Sequence, residues 1–212
     1  MKKIVIFDLD GTLLNTLESI AYCCNTMLKE YGIEPLDTSV YPAFIGHGAD
    51  NLIKKLTDYV KLSPDKFCEF RDRYLKFYKE NGSYGVAPYE GIPELLSALK
   101  EKGIKIGILS NKPEKIVRDC VKIYFGDVFD AVHGQVDGKP VKPDTTQFFE
   151  ILDSFGLCAD ECIYCGDSDV DVATGKNAKV TTLGAGWGFY GDKPFADADA
   201  TLYSPTDLLK YI

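Results

Sequence analysis

A few carboxylates, one lysine and some hydroxyl and amide side chains fall at spacings that suit charge-rich chemistry. Asp8 and Asp10 stand two residues apart, directly after the apolar run Ile4-Val5-Ile6-Phe7. On a strand, side chains at that spacing leave the same face. Gly11 and Thr12 follow, and the glycine lets the backbone bend sharply past whatever sits there. Two carboxylates converging beyond the end of a buried strand suit a hard cation plus a nucleophile. Taken alone, the stretch reads equally well as a strand followed by an Asp-rich turn.

Later residues bear on that choice. Ser110-Asn111 closes a second apolar run, Lys142 opens a helical pattern, and Asp167 and Asp171 follow another apolar run, four residues apart. At a helix start, residues four apart share one face. Each group has an ordinary reading: a turn, a solvated lysine, or acids capping a helix and compensating its dipole. All of them landing at strand ends favours one shared site. The chemistry such a set suits is phosphoryl transfer, which needs in-line positioning and neutralised charge on three equatorial oxygens. A Mg²⁺ held by Asp8 and Asp167 would bridge a carboxylate nucleophile and a phosphate that otherwise repel each other. Lys142 would add a cation, Ser110 and backbone N–H groups would donate hydrogen bonds, and a second aspartate would shuttle the proton of the leaving oxygen.

The elements that must position these groups alternate. The first strand is followed by a helical stretch carrying Leu17, Ile20, Ala21, Cys24, Leu28 and Tyr31, with Thr16 as N-cap and Gly32 as stop. A second helix carries Leu52, Ile53, Leu56 and Val60. A third starts at Ser63-Pro64, is striped by Phe67, Phe70, Tyr74 and Phe77, and ends at Asn81-Gly82. No strand pattern occurs between about residue 15 and residue 85. From Pro88 onward, strands at 104–109, 129–132, 162–165, 180–183 and 200–203 alternate with helices, one of them opened by Lys142-Pro143-Asp144. This predicts an α/β fold: a doubly wound, Rossmann-like parallel sheet covered on both faces, residues 1–14 and 86–212, with an all-helical domain, 15–85, inserted after the first strand. In such sheets ligands bind beyond the carboxyl ends of the strands, where the polar residues fall.

Composition removes several classes. In 212 residues, 45% are hydrophobic, enough for a core. A net charge of −8 with no basic run argues against nucleic acid. No segment approaches the roughly 20 apolar residues of a membrane span. Met1-Lys2-Lys3 precedes only four apolar residues, too few for a signal peptide, so a cytoplasmic protein is expected. The seven cysteines are odd in number and mostly sit in apolar patterns (Cys23, Cys24, Cys68, Cys120, Cys162 and Cys165), which reads as reduced core thiols. His47 and His133 are the only histidines, which disfavours a histidine-rich metal site or a Ser-His-Asp triad.

The motifs resemble a known family. Asp8-Leu9-Asp10-Gly11-Thr12, Ser110-Asn111, Lys142 and Gly166-Asp167-Ser168-x-x-Asp171 look like the four motifs, in order, of haloacid-dehalogenase-superfamily phosphatases. Between them, Pro88-Tyr89-Glu90-Gly91-Ile92-Pro93-Glu94-Leu95-Leu96, Ser110-Asn111-Lys112-Pro113, Gly134-Gln135 with Lys142-Pro143-Asp144, and Trp187-Gly188-Phe189 look like the phosphoglycolate phosphatase branch. The resemblance implies a Mg²⁺ cofactor, Asp8 as the nucleophile that becomes an aspartyl-phosphate, and Asp10 as general acid and then base, its backbone carbonyl on the metal. It implies Asp167 as a metal ligand, Asp171 as a ligand or its support, and Ser110 and Lys142 on the phosphoryl group. Gly11, Thr12 and Asn111 would border the substrate. The helical insertion would be the family's mobile cap, and the substrate a small phosphorylated metabolite. Asn15, Lys179 and Tyr190 depart from the branch at positions where aspartate, glycine and arginine are frequent.

Relatives acting on pyrophosphate, nucleoside monophosphates or sugar phosphates share these motifs, as do phosphomutases. A dehalogenase would not be expected to keep an acid at position 10. A phosphorylated signalling receiver fits poorly with the helical insertion and the late Gly-Asp-x-x-x-Asp motif. Phe44-Ile45-Gly46-His47-Gly48 reads either as a plain interhelical turn or as a selectivity loop in which His47 contacts the non-phosphate end of the substrate.

Overall fold

The run Ile4–Phe7 forms strand β1, with all four side chains fully buried. It lies inside a six-stranded sheet of a computed structural model that describes residues 1–191 and 195–212. Across that sheet the order is β5 (Ala131–Gln135), β4 (Lys105–Pro113), β1, β6 (Cys162–Gly166), β7 (Thr181–Ala185) and β8 (Ala200–Leu202). Every pairing is parallel. Counted along the chain, these strands run 3-2-1-4-5-6, the doubly wound order. Val5 sits opposite Ile106 on one side and Ile163 on the other.

A parallel sheet needs crossover helices, and covering both faces buries its central strands completely. The crossovers are α4 (Ile92–Glu101), α5 (Glu114–Tyr124), α6 (Thr146–Ser154) and α7 (Asp169–Ala178). One cluster packs Ile4, Ile6, Cys162 and Tyr164 against Phe148, Ile151 and Leu152 of α6. Each such large apolar side chain contributes about 1.5–3 kcal/mol by leaving water.

Two local expectations change. The strand expected at 104–109 runs on to Pro113, with a register shift between Leu109 and Pro113 that takes Ser110, Asn111 and Lys112 out of the regular ladder with β5. Lys142 does not open a helix. Asp144 accepts the Thr146 N–H at 2.8 Å in a turn, and α6 begins only at Thr146, so Lys142 sits in the loop before it.

The chain divides into two compact units: Met1–Asn15 with Pro88–Ile212, which holds the sheet, and Thr16–Ala87. The second is built from α1 (Leu17–Glu30), α2 (Ala49–Tyr59), α3 (Phe67–Asn81) and the 3-10 segments Thr38–Phe44 and Pro64–Lys66. The short strands β2 (Leu14–Asn15) and β3 (Ala87–Pro88) pair with each other. Thr16 occupies the N-cap position of α1, but its side chain makes no capping bond. Gly32, at φ +71°, takes the left-handed conformation after α1 that glycine allows. α3 buries Phe70, Tyr74 and Tyr78, whereas Phe67 and Phe77 are half-buried, so the apolar stripe drifts by one residue toward its end. Asn25 accepts from Tyr41 Oη at 2.7 Å and exchanges hydrogen bonds with the Leu36 backbone, tying α1 to the loop that follows.

None of the seven cysteines is in a disulfide, and five are buried; Cys68 and Cys158 are exposed, so Cys68 faces water rather than the core. Among the described residues, no helix is long and apolar enough to cross a membrane.

At the amino edge of the sheet, Asp130 accepts from Lys100 Nζ at 2.9 Å, Lys105 Nζ at 3.0 Å and the Ile106 N–H at 2.9 Å. Burial works against its charge, but the ammonium groups and the N–H outweigh it and hold the carboxyl below its ordinary range. A carboxyl depressed in the folded state stabilises the fold above its unfolded pKa of roughly 3.9 and loses that contribution as pH falls through the folded value. Asp130→Asn should therefore destabilise the protein by about 1 kcal/mol at neutral pH, with the difference closing below about pH 3. Urea unfolding of both proteins across that range checks this, and a penalty independent of pH would contradict it.

Candidate active site

β1 and β6 are neighbours at the point where the strand order reverses, and both end on acids. This is where open α/β sheets form a crevice. The Asp8 N–H still donates to Cys165 O at 2.9 Å, which carries the ladder one residue beyond β1. The chain then turns back on itself: the N–H groups of Leu13 and Leu14 both donate to Leu9 O, and Gly11 N–H donates to Leu14 O. Gly11 adopts φ +82°, and a Cβ there would fall 2.1 Å from an Asp167 oxygen, so no larger residue fits. A Cβ on Gly188 would fall 2.3 Å from the Asp167 Cβ. These glycines let two loops close around one carboxylate.

Asp8, Asp167 and Asp171 are buried, and each places a carboxylate oxygen within 4.8 Å of the others. Lys142, its side chain 2% exposed, stands 2.9 Å from Asp8 and 2.7 Å from Asp171. Three carboxylates thus face one lysine. The Asp8 oxygen nearest Nζ is approached outside hydrogen-bonding geometry, so charge alone holds it and it has no directed donor. Asp171 is the opposite case. One oxygen accepts from Lys142 Nζ and Tyr164 Oη, and the other from the Ser168 N–H and hydroxyl. Its four lone-pair positions are filled. Asp167 accepts from Thr12 Oγ1 at 3.3 Å and the Phe189 N–H at 2.9 Å.

The electrostatics follow from these partners. Burial pushes Asp8 up to about 7, against the pull of Lys142 and with help from Asp171 and Asp10. Burial, then Asp171 and Asp8, holds Asp167 well above the ordinary carboxylate range. For Asp171 burial is outweighed by Lys142, Ser168 and Tyr164, and its carboxyl lies below that range. Lys142 moves up to about 12, because Asp171 and Asp8 overcome the cost of burying its charge.

The remaining expected residues have specific places. Ser110 is buried at the end of β4, its hydroxyl accepting the Lys112 N–H at 3.3 Å. Asn111 donates to Lys142 O at 3.1 Å and accepts its N–H at 2.8 Å. Its amide therefore fixes the Lys142 backbone. Thr12 holds Asp167 in the same way, and its carbonyl accepts from Trp187 Nε1 at 2.9 Å. The Asp10 carboxylate is not in the three-carboxylate group; both its oxygens are held by Lys112 Nζ, at 2.8 and 3.0 Å. His47 belongs to the helical unit, exposed before α2 between Gly46 and Gly48, both at positive φ.

Sequence reasoning missed Tyr164 and the partner of Lys112. Tyr164 looks like any strand residue, and its hydroxyl takes on meaning only when β6 sets it beside Lys142 and Asp171.

Donor chemistry decides what such a site can hold. Its ligand atoms are all carboxylate oxygens, its charge is under-compensated by one lysine, and an Asp8 oxygen lacks a directed donor, all of which fit a hard divalent cation. The site is an acidic crevice of three buried carboxylates with one buried lysine set against two of them.

Comparison with known proteins agrees with this geometry. Residues 5–185 match the family model described as haloacid dehalogenase-like hydrolase. A phosphoglycolate phosphatase of Aquifex aeolicus is 33% identical over 98% of this chain and 95% of its own. Another, from Mannheimia succiniciproducens, is 29% identical over 99% and 98%. The crystal structure of a predicted phosphoglycolate phosphatase from Haemophilus somnus superposes with a TM-score of 0.91 at 27% identity, covering 99% of this chain and 97% of that one. With matching sequence across the core and a matching fold over almost its whole length, the chain belongs to the haloacid dehalogenase-like hydrolase family.

Proposed function

We propose that this protein is a Mg²⁺-dependent phosphatase that hydrolyses a small phosphomonoester, phosphoglycolate or a close analogue, through an aspartyl-phosphate on Asp8. One observation carries the reading: three buried carboxylates converge at the switch point of the sheet with a single lysine among them, and one of them, Asp8, keeps an oxygen free of any directed donor. The names of the relatives support the substrate class.

Asp8 and Asp167 would hold Mg²⁺, together with the backbone carbonyl of Asp10. Asp171 would not ligate it, since all four of its lone-pair positions are engaged; it anchors Lys142 instead. When bound, Mg²⁺ supplies charge neutralisation between nucleophile and phosphate. Asp8 attacks phosphorus, forming a P–O bond as the ester P–O bond breaks. Asp10 gives the departing oxygen a proton, and the alcohol leaves. A water then attacks phosphorus, passing its proton to Asp10; inorganic phosphate departs and the Asp8 carboxylate is restored. Lys142 and the Ser110 hydroxyl bind the phosphoryl oxygens, with Lys142 held charged by its two aspartates. The helical unit Thr16–Ala87 serves as the cap, on the strength of its insertion just after the site's first loop.

Phosphate release from a panel of phosphomonoesters, pyrophosphate and nucleoside monophosphates tests the substrate class directly. Asp8→Asn should fold normally and lose turnover by a factor on the order of 10³ or more, because an amide is neither a nucleophile nor a good metal ligand. Retained metal-dependent activity in that variant would remove Asp8 from the chemistry. Chelation should stop turnover and Mg²⁺ restore it, with Ca²⁺ a poor substitute because its longer bonds and larger ligand number misplace the attack; undiminished hydrolysis in excess chelator would exclude a metal step. His47→Ala should raise KM for the best natural ester about ten-fold while moving KM for an aryl phosphate much less, as expected for loss of one charge-assisted contact. Equal changes for both substrates would make the Gly46-His47-Gly48 loop a plain turn.

A further inference from the structure

We propose that Lys112 is a positioning residue for Asp10, locking the orientation of the carboxylate through which protons pass; this rests on the function proposed above. Lys112 Nζ lies 2.8 Å from one Asp10 oxygen and 3.0 Å from the other, so a single ammonium spans both. The two side chains are only 5% and 15% exposed, which shields the pair from the screening that weakens surface ion pairs.

Both partners leave pinned backbone. Lys112 sits in the irregular stretch of β4, where its N–H is bound by the Ser110 hydroxyl at 3.3 Å. Asp10 lies in the turn closed by the bonds from Leu13 and Leu14 to Leu9 O. An aspartate has two side-chain torsions, and contact through one oxygen would leave rotation about the carboxyl axis open. Contact with both oxygens from a fixed base removes that freedom. Proton transfer makes the restraint matter, since the acid must come within about 2.6–3.2 Å of the ester oxygen as the P–O bond breaks. Lys112 forms and breaks no bond itself; it acts through Asp10.

The test uses purified protein saturated with Mg²⁺ and two substrates, an alkyl phosphomonoester (phosphoglycolate) and an activated aryl one (p-nitrophenyl phosphate). The alkoxide needs a proton to leave, whereas the aryl oxide scarcely does. Lys112→Met should lower kcat on the alkyl ester at least about ten-fold and on the aryl ester less than about three-fold, with KM moving less than about two-fold, because a misplaced acid costs rate rather than binding. Lys112→Arg, which can still span both oxygens, should recover most of the loss. Added to Asp10→Asn, Lys112→Met should cost nothing more, since the group it orients is already gone. If Lys112→Met does not fold, Lys112→Gln carries the same comparison.

A rise in KM with kcat unchanged would make Lys112 a substrate ligand and overturn the proposal, as would a further loss on top of Asp10→Asn. A strong Asp10→Asn effect with a silent Lys112→Met overturns the positioning role alone. A silent Asp10→Asn overturns the acid–base role and the positioning role together.

Discussion

Charge balance around Lys142 is the constraint on which this site depends. Its ammonium group is buried, and an isolated buried charge is prohibitively costly unless paired and hydrogen-bonded. Asp171 provides most of that pairing, and is itself saturated by Ser168 and Tyr164. Asp8 then shares the same lysine without a directed bond, and among the described residues no lysine or arginine is paired with Asp167. Charges of like sign are thereby stored at one strand end. That arrangement is poor for stability and well suited to receiving a cation and an anionic substrate together.

The sheet makes the arrangement possible. Parallel order puts the ends of β1, β4 and β6 on one edge, so acids and donors separated by a hundred or more residues share a crevice without long loops. Side chains alone would not bring the loops close enough. Gly11 and Gly188 approach Asp167 so nearly that any Cβ would overlap it, and Gly166 stands in the same relation to Asp171. The irregular end of β4 does comparable work, turning consecutive residues to different uses: Ser110 onto the Lys112 N–H, Asn111 onto the Lys142 backbone, Lys112 onto Asp10.

The two compact units divide the labour in chain order. Every residue of the carboxylate–lysine group comes from the sheet-bearing unit, while the helical unit holds its own core around Phe70, Tyr74, Leu28 and Ile53. A core of its own lets such a unit vary in sequence without disturbing the chemistry on the sheet.

What the amino-acid sequence determined by itself was whatever depends on local pattern. An apolar run stopping on Asp8 and Asp10, alternating strand and helix signals after Pro88, an uninterrupted helical tract before it, and polar residues concentrated at strand ends were all legible, because periodicity and spacing are short-range properties. Among the local readings that failed, Asp144 closes a turn before α6 begins and the stripe on α3 drifts from Phe77 to Tyr78. Tertiary structure alone decided which polar group meets which. Lys112 and Asp10 are 102 residues apart, Asn111 and Lys142 are 31 apart, and Tyr164 reaches Lys142 across 22. No motif spacing encodes those meetings, since they follow from strand order and register. The same holds for Asp171, whose partners Lys142, Tyr164 and Ser168 come from three different stretches of chain.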